Sequence, residues 1–112
     1  MKQGFVKVAS ATPRIRVADP VYNAQVICEQ AKEAAEHGAK IVVFPELCIT
    51  GYTCNDLFLQ ELLLEKAKEA LLTIAEETGQ LETLFLVGLP VDKDGRLYNV
   101  AAVLYRGRIL GM

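Results

Sequence analysis

No apolar run in this 112-residue chain approaches the roughly 20 residues that cross a bilayer, so no membrane partner is expected. The opening Met1-Lys2-Gln3-Gly4-Phe5 leads straight into strand-like sequence and lacks the apolar core of a signal peptide. No basic stripe is present either. The twelve Lys and Arg residues are scattered and the net charge is −2, which argues against a nucleic-acid partner. Cysteine is scarce and odd in number: Cys28, Cys48 and Cys54 have spacings unlike any compact metal motif. With only His37 to add a ligand, no metal site is expected, and reduced thiols in a cytoplasmic protein are the simpler reading. What is present is ordinary: 52% apolar and 23% charged residues, as in soluble globular proteins. The length suits one modest domain and not two, and there is no internal repeat, low-complexity tract or linker.

Residues Phe5 to Ala11 alternate in part and are rich in small and β-branched side chains, which predicts a first strand. Asp19-Pro20 opens a helix: the carboxylate can cap free N–H groups, and proline at the first helical position needs no donor. Ala24, Ile27, Cys28, Ala31, Ala34 and Ala35 then keep to one helical face, and His37-Gly38 ends it. A lone histidine can serve as a base. In a last helical turn, however, an imidazole also meets exposed carbonyls and the negative end of the dipole, and this structural role is the one expected of His37. Ile41-Val42-Val43-Phe44 is a continuous apolar strand stopped by Pro45. Asp56 marks the cap of a second helix whose apolar face runs from Leu59 through Leu62, Leu63, Ala67, Ala70, Leu71, Ile74 and Ala75, interrupted by the stem of Lys66. Gly79 closes it. A strand over Leu84 to Leu89, a turn at Asp94-Gly95, a strand over Leu97 to Tyr105, a turn at Arg106-Gly107 and a strand from Arg108 follow. The order implies crossover units in front and an antiparallel hairpin behind: an α/β domain with a mixed sheet.

A sheet that is apolar on both faces needs cover on both, and two helices shield one. The other face is expected to pack on residues outside this sequence or on a second copy. Residues 1–112 therefore read as the N-terminal portion of a larger domain, and a homo-oligomer is expected.

One stretch carries chemistry: Phe44-Pro45-Glu46-Leu47-Cys48-Ile49-Thr50-Gly51-Tyr52. A buried strand delivers a carboxylate to the carboxyl end of a sheet, where ligand sites of α/β folds gather. Partial desolvation there is expected to raise the pKa of Glu46 and make it a proton acceptor near neutral pH. Gly51 allows a tight turn that can aim Thr50 and Tyr52 at the same place. From the residues alone a second role for Glu46 stays open, as a loop cap or the partner of a surface lysine.

Pro45-Glu46-Leu47 after a buried strand, followed by Thr50-Gly51-Tyr52, resembles the first catalytic motif of the nitrilase (carbon–nitrogen hydrolase) superfamily. Ala9-Ser10-Ala11, the helix from Asp19-Pro20 to Gly38, Gly88-Leu89-Pro90 and Tyr98-Asn99 are also similar to that superfamily's opening half. More narrowly, Phe44 to Tyr52 with Asp56-Leu57-Phe58, and Ala11-Thr12-Pro13 with Asp19-Pro20 and Asn23, resemble the glutaminase domain of the glutamine-dependent NAD synthetase family. The resemblance covers nearly the whole sequence. It implies the N-terminal half of a nitrilase-type α-β-β-α sandwich, with a mixed sheet and the helices on one face.

It also implies a glutamate, lysine and cysteine triad. Glu46 matches the glutamate, the general base that takes the thiol proton; the cysteine attacks the carboxamide to give a thioester and ammonia, and the lysine stabilises the oxyanion. The family's lysine falls just beyond Met112 and its cysteine further on, so residues 1–112 alone are expected to be inactive. Cys28 lies on the apolar face of the first helix, and Cys48 and Cys54 do not match the nucleophile's place; all three are expected to be non-catalytic. Tyr52 matches a tyrosine that lines the glutaminase pocket, although a packing role in the loop also fits. The implied whole protein hydrolyses glutamine and passes ammonia to an ATP- and magnesium-using synthetase domain, with no cofactor held in these residues. A stand-alone amidase acting on ω-amides or carbamoyl compounds, and a non-catalytic α/β oligomerisation module, are the alternatives.

Overall fold

The computed structural model describes residues 7–16, 19–50, 61–94 and 96–112. In chain order they form β1 (Val8–Ser10), α1 (Pro20–Glu36), β2 (Ile41–Val43), α2 (Glu61–Glu77), β3 (Leu84–Lys93), β4 (Arg96–Tyr105) and β5 (Arg108–Gly111). The strands build one five-stranded sheet in sequential order. β1, β2 and β3 run parallel, joined by the two helices, while β4 and β5 return antiparallel. This is the mixed α/β sheet expected. The opening residues of the first strand (Phe5 and Val6), the Asp56 cap and Gly95 lie outside the described residues.

The helix ends follow from the residues there. Asp19 Oδ1 accepts the Tyr22 N–H at 3.1 Å, and Pro20 occupies the first position, so the free donors of the first turn are reduced by one bond and one missing hydrogen. α1 stops at Glu36, and the imidazole Nδ1 of the capping His37 lies 2.9 Å from the Glu33 carbonyl, the end-of-helix role expected of it. α2 stops at Glu77, where the Thr78 hydroxyl donates to the Ile74 carbonyl at 2.7 Å. Arg106 and Gly107 both take positive φ, +51° and +83°, the pair a two-residue type I′ hairpin turn requires between β4 and β5.

β3 runs ten residues, past the Leu89 limit expected from the sequence. Proline normally ends a strand, but Pro90 lies beyond the end of β2, where β3 has become an edge and a missing N–H is tolerated.

The core lies on one face of the sheet. α1 contributes Ala24, Ile27, Cys28 and Ala31; α2 contributes Ala67, Ala70, Leu71, Ile74 and Ala75; and Val42, Phe85, Val87, Leu89, Ala102 and Leu104 meet them from the strands. Burying each large member contributes about 1.5–3 kcal/mol. Alanines between the helices allow them to pack closely on one another. The opposite pleat carries Val8, Ile41, Val43, Leu84, Leu86, Ala101 and Val103, with Val8 59% and Val43 39% exposed. The helices thus cover one face only, as expected.

Candidate active site

The site begins where β2 ends. Phe44 N–H still donates to the Leu86 carbonyl at 2.9 Å, but Pro45 has no donor and the ladder stops. Glu46 to Thr50 then turn sharply, with Leu47 at φ +52°. A leucine in the left-handed region is strained by about 1–2 kcal/mol, so the surroundings must hold it there.

Three groups of contacts do so. Within the turn, Thr50 N–H donates to the Leu47 carbonyl at 3.1 Å. From β3, the Gly88 carbonyl accepts the Ile49 N–H at 3.2 Å and the Cys48 S–H at 3.6 Å. From α1, the fully buried Asn23 donates through Nδ2 to the Ile49 carbonyl at 2.7 Å and to the Arg16 carbonyl at 2.7 Å, while its Oδ1 accepts the Arg16 N–H at 2.7 Å. The Arg16 guanidinium stacks over the Tyr22 ring at 3.8 Å, steadying the segment that Asn23 grips. Cys48 and Ile49 insert into the core and anchor the turn.

Gly88 has a second part. A Cβ there would stand 2.5 Å from Leu47 N, 2.8 Å from the Pro45 carbonyl oxygen and 3.0 Å from Glu46 C, so the backbone around Glu46 crosses β3 at a distance only glycine permits.

The outcome is that Glu46 borders a depression of about 290 Å³ whose walls include Val43, Leu86, Asn99 and Ala101 of the open pleat. The carboxylate is exposed, so the partial desolvation expected of it is not supplied by this structure. The reason is physical: among the described residues, the helices that cover the sheet lie on the other face. Thr50 is buried inside the turn and does not line the depression. Tyr52, Gly51 and Cys54 lie outside the described residues. A larger groove of about 470 Å³ between α1 and α2 is lined by Lys32, Lys66, Glu69 and Glu77, away from Glu46.

Neither described cysteine is activated. Burial pushes the Cys48 thiol up to about 11, and burial with the nearby Glu77 charge pushes Cys28 up to about 11. Both stay protonated near neutral pH. Among the described residues no group of three or more His, Cys, Asp or Glu is placed to hold a metal ion. No described helix is long and apolar enough to cross a membrane.

The structure thus places a carboxylate at the carboxyl end of a parallel strand, turned over a glycine toward the open sheet face, where ligand sites of α/β folds gather. The carbon–nitrogen hydrolase pattern matches residues 7–111, and the chain belongs to that family. It is 38% identical over 111 residues to a glutamine-dependent NAD(+) synthetase of Mycobacterium tuberculosis, covering 99% of this chain and 16% of that protein. A Thermotoga maritima protein of the same description is 34% identical over 112 residues, covering 100% of this chain and 19% of the relative. Among solved structures, a glutamine-dependent NAD(+) synthetase from Cytophaga hutchinsonii superimposes with a TM-score of 0.88 at 31% identity, covering 95% of this chain and 18% of that one. The chain therefore spans less than a fifth of the length of these relatives.

The sequence singled out Glu46 and missed its two supports. Asn23 carried a signal, a polar residue on a helix face otherwise made of Pro20, Ala24 and Ile27. Gly88 carried one too, a glycine inside a buried strand, which marks a close backbone approach.

Proposed function

We propose that this chain is the opening part of the glutaminase unit of a glutamine-dependent NAD synthetase, a cytoplasmic enzyme acting on glutamine. The observation that carries this reading is Glu46, held by a built turn at the end of β2 and presented to the open face of the sheet, in a chain similar along its length to such synthetases.

Glu46 accepts the proton of a cysteine thiol supplied by residues beyond Met112. The thiolate sulfur bonds to the carboxamide carbon of glutamine, the carbon–nitrogen bond breaks, and ammonia leaves with a proton returned by the glutamic acid form of residue 46. Water then hydrolyses the thioester. A lysine, also beyond Met112, stabilises the oxyanion of both tetrahedral stages. Tyr52 lines the glutamine pocket. The second half of the domain closes the open face and shields Glu46 from bulk water. Ammonia passes to an ATP- and magnesium-using synthetase domain that amidates nicotinate adenine dinucleotide; no residue described above takes part in that step. Homo-oligomerisation through faces left open by the single domain belongs to the same reading.

The test is Glu46→Gln in the full-length protein. The amide keeps the shape and cannot accept a proton, so glutamine-driven NAD synthesis falls by a factor on the order of 10²–10⁴ while ammonia-driven synthesis is retained. An equal loss with both donors refutes the role of Glu46. Turnover of simple amides with no NAD formed identifies a stand-alone amidase instead.

A further inference from the structure

We infer that Gly88 and Asn23 are positioning residues for the Glu46 carboxylate, acting as a two-sided clamp on the turn that carries it. The inference rests on the reading of Glu46 as the glutaminase base and adds what sets its geometry.

The argument starts from strain. Leu47 is held at φ +52°, a conformation a leucine leaves unless its neighbours are fixed on both sides. On the side before Leu47, Gly88 is the floor: the Pro45 carbonyl and the Leu47 nitrogen lie within 2.8 Å of where a Cβ would stand. On the side after it, Ile49 is bound through both of its backbone polar groups. Its N–H goes to the Gly88 carbonyl at 3.2 Å and its carbonyl to Asn23 Nδ2 at 2.7 Å. Asn23 is itself immobilised, since its remaining N–H and its oxygen are both used by Arg16. Glu46 thus stands between two fixed points, with the strained residue directly after it. Neither Gly88 nor Asn23 touches the reacting atoms. Each acts by deciding where the carboxylate is.

A methyl group at residue 88 cannot be accommodated by a side-chain movement, because the atoms it meets are backbone. The turn must lift, and Glu46 moves with it. A displacement of about 1 Å at a catalytic group costs on the order of 10²-fold in rate.

The experiment is a mutant cycle in the full-length enzyme, measuring glutamine hydrolysis. Gly88→Ala is expected to lower kcat about 10²-fold, with the glutamine KM within about 3-fold of the parent and ammonia-driven synthesis unchanged. Asn23→Ser, which shortens the side chain and gives up the Ile49 bond, is expected to lower kcat about 10-fold in the same pattern. In a Glu46→Gln background each substitution is expected to cost less than about 3-fold, because a residue acting through the carboxylate has nothing left to position. Ile74→Val, in the core away from the turn, serves as the destabilised control and leaves kcat unchanged. The proposal is overturned if both variants keep kcat within about 3-fold of the parent, or if their losses multiply undiminished in the Glu46→Gln background as a general loss of fold would. Should Gly88→Ala fail to fold, the Asn23→Ser cycle decides alone. Failure of the underlying reading is visible separately, as glutamine turnover that survives Glu46→Gln by itself.

Discussion

The two faces of this sheet are built from the same strands and do different work. On the helix side Val42, Phe85, Val87, Ala102 and Leu104 are fully buried against α1 and α2. On the other side Val8 and Val43 are exposed, Leu86 and Val103 are half-buried, and the depression beside Glu46 is found. Because the strand period is two, neighbours such as Phe85 and Leu86 belong to opposite faces and to opposite roles. One face holds the fold together. The other leaves Glu46 accessible.

That division gives the largest expected effect in the 112-residue chain. Phe85→Ala removes a ring wholly enclosed by the core and should cost about 3–5 kcal/mol. Leu86→Ala, one residue away on the open face, gives up contacts on one side only and should cost less than half as much. Urea unfolding of the two variants measures this directly. Equal losses would mean that the open face is covered in solution and that the contrast drawn here is false.

The buried thiols give the next effect, and its sign can be worked out. An unfolded thiol titrates near 9.0, while burial holds Cys48 and Cys28 at about 11. Below 9 both states are protonated and the thiols add no pH dependence. Between 9 and 11 the unfolded chain loses its thiol protons first, so stability falls as pH rises, by up to about 3 kcal/mol for each thiol. Other groups titrate in the same window. The share of Cys48 is therefore the difference in slope between the parent and Cys48→Ala, and identical slopes would show that its thiol is not desolvated. Alkylation at pH 8 should correspondingly be slow for both thiols until the chain is unfolded.

A smaller effect tests the covering layer. Asp19 accepts the Tyr22 N–H at the start of α1, and Asp19→Ala should lower stability by about 1 kcal/mol. Asp19→Asn keeps the acceptor and should recover most of it. A loss well above this in the alanine variant would mean that the cap also fixes the Arg16–Asn23 contacts behind the Glu46 turn.

These contrasts also show what was legible in the sequence. Apolar period marked the helices, apolar runs between turn residues marked the strands, and local chemistry placed the starts and ends that depend on single residues: Asp19-Pro20, His37, Arg106-Gly107. Glu46 was legible because a proline after a buried strand marks where the chain leaves the sheet. The shape of the turn was not. Leucine has no left-handed preference, so nothing in Pro45-Glu46-Leu47 announces φ +52° at Leu47. That conformation is imposed by Gly88 and Asn23, 41 and 24 residues away along the chain, and such long-range contacts leave only weak local marks. The exposure of Glu46 escaped for the same kind of reason: desolvation is a property of what covers a residue, and the cover is not in the strand that carries it.

The smallest expected change in stability sharpens the comparison furthest. Val43 belongs to the open pleat, is 39% exposed and borders the depression beside Glu46. Val43→Thr keeps the β-branched shape that suits a strand and replaces one methyl by a hydroxyl that water can reach. In the 112-residue chain its effect on unfolding should stay within about 0.5 kcal/mol, as for an open site. Its effect on association should be larger. A contiguous apolar face beyond a few hundred Å² is more than monomers usually leave in water, so the chain is expected to self-associate at micromolar concentration through this pleat. Sedimentation velocity of the parent and of Val43→Thr then reads the face directly: the variant should shift the distribution toward monomer while its unfolding midpoint stays in place. A compact monomer for both proteins, with no dye-accessible apolar surface, would show that the second face is not the sticky one and that the chain satisfies it by itself.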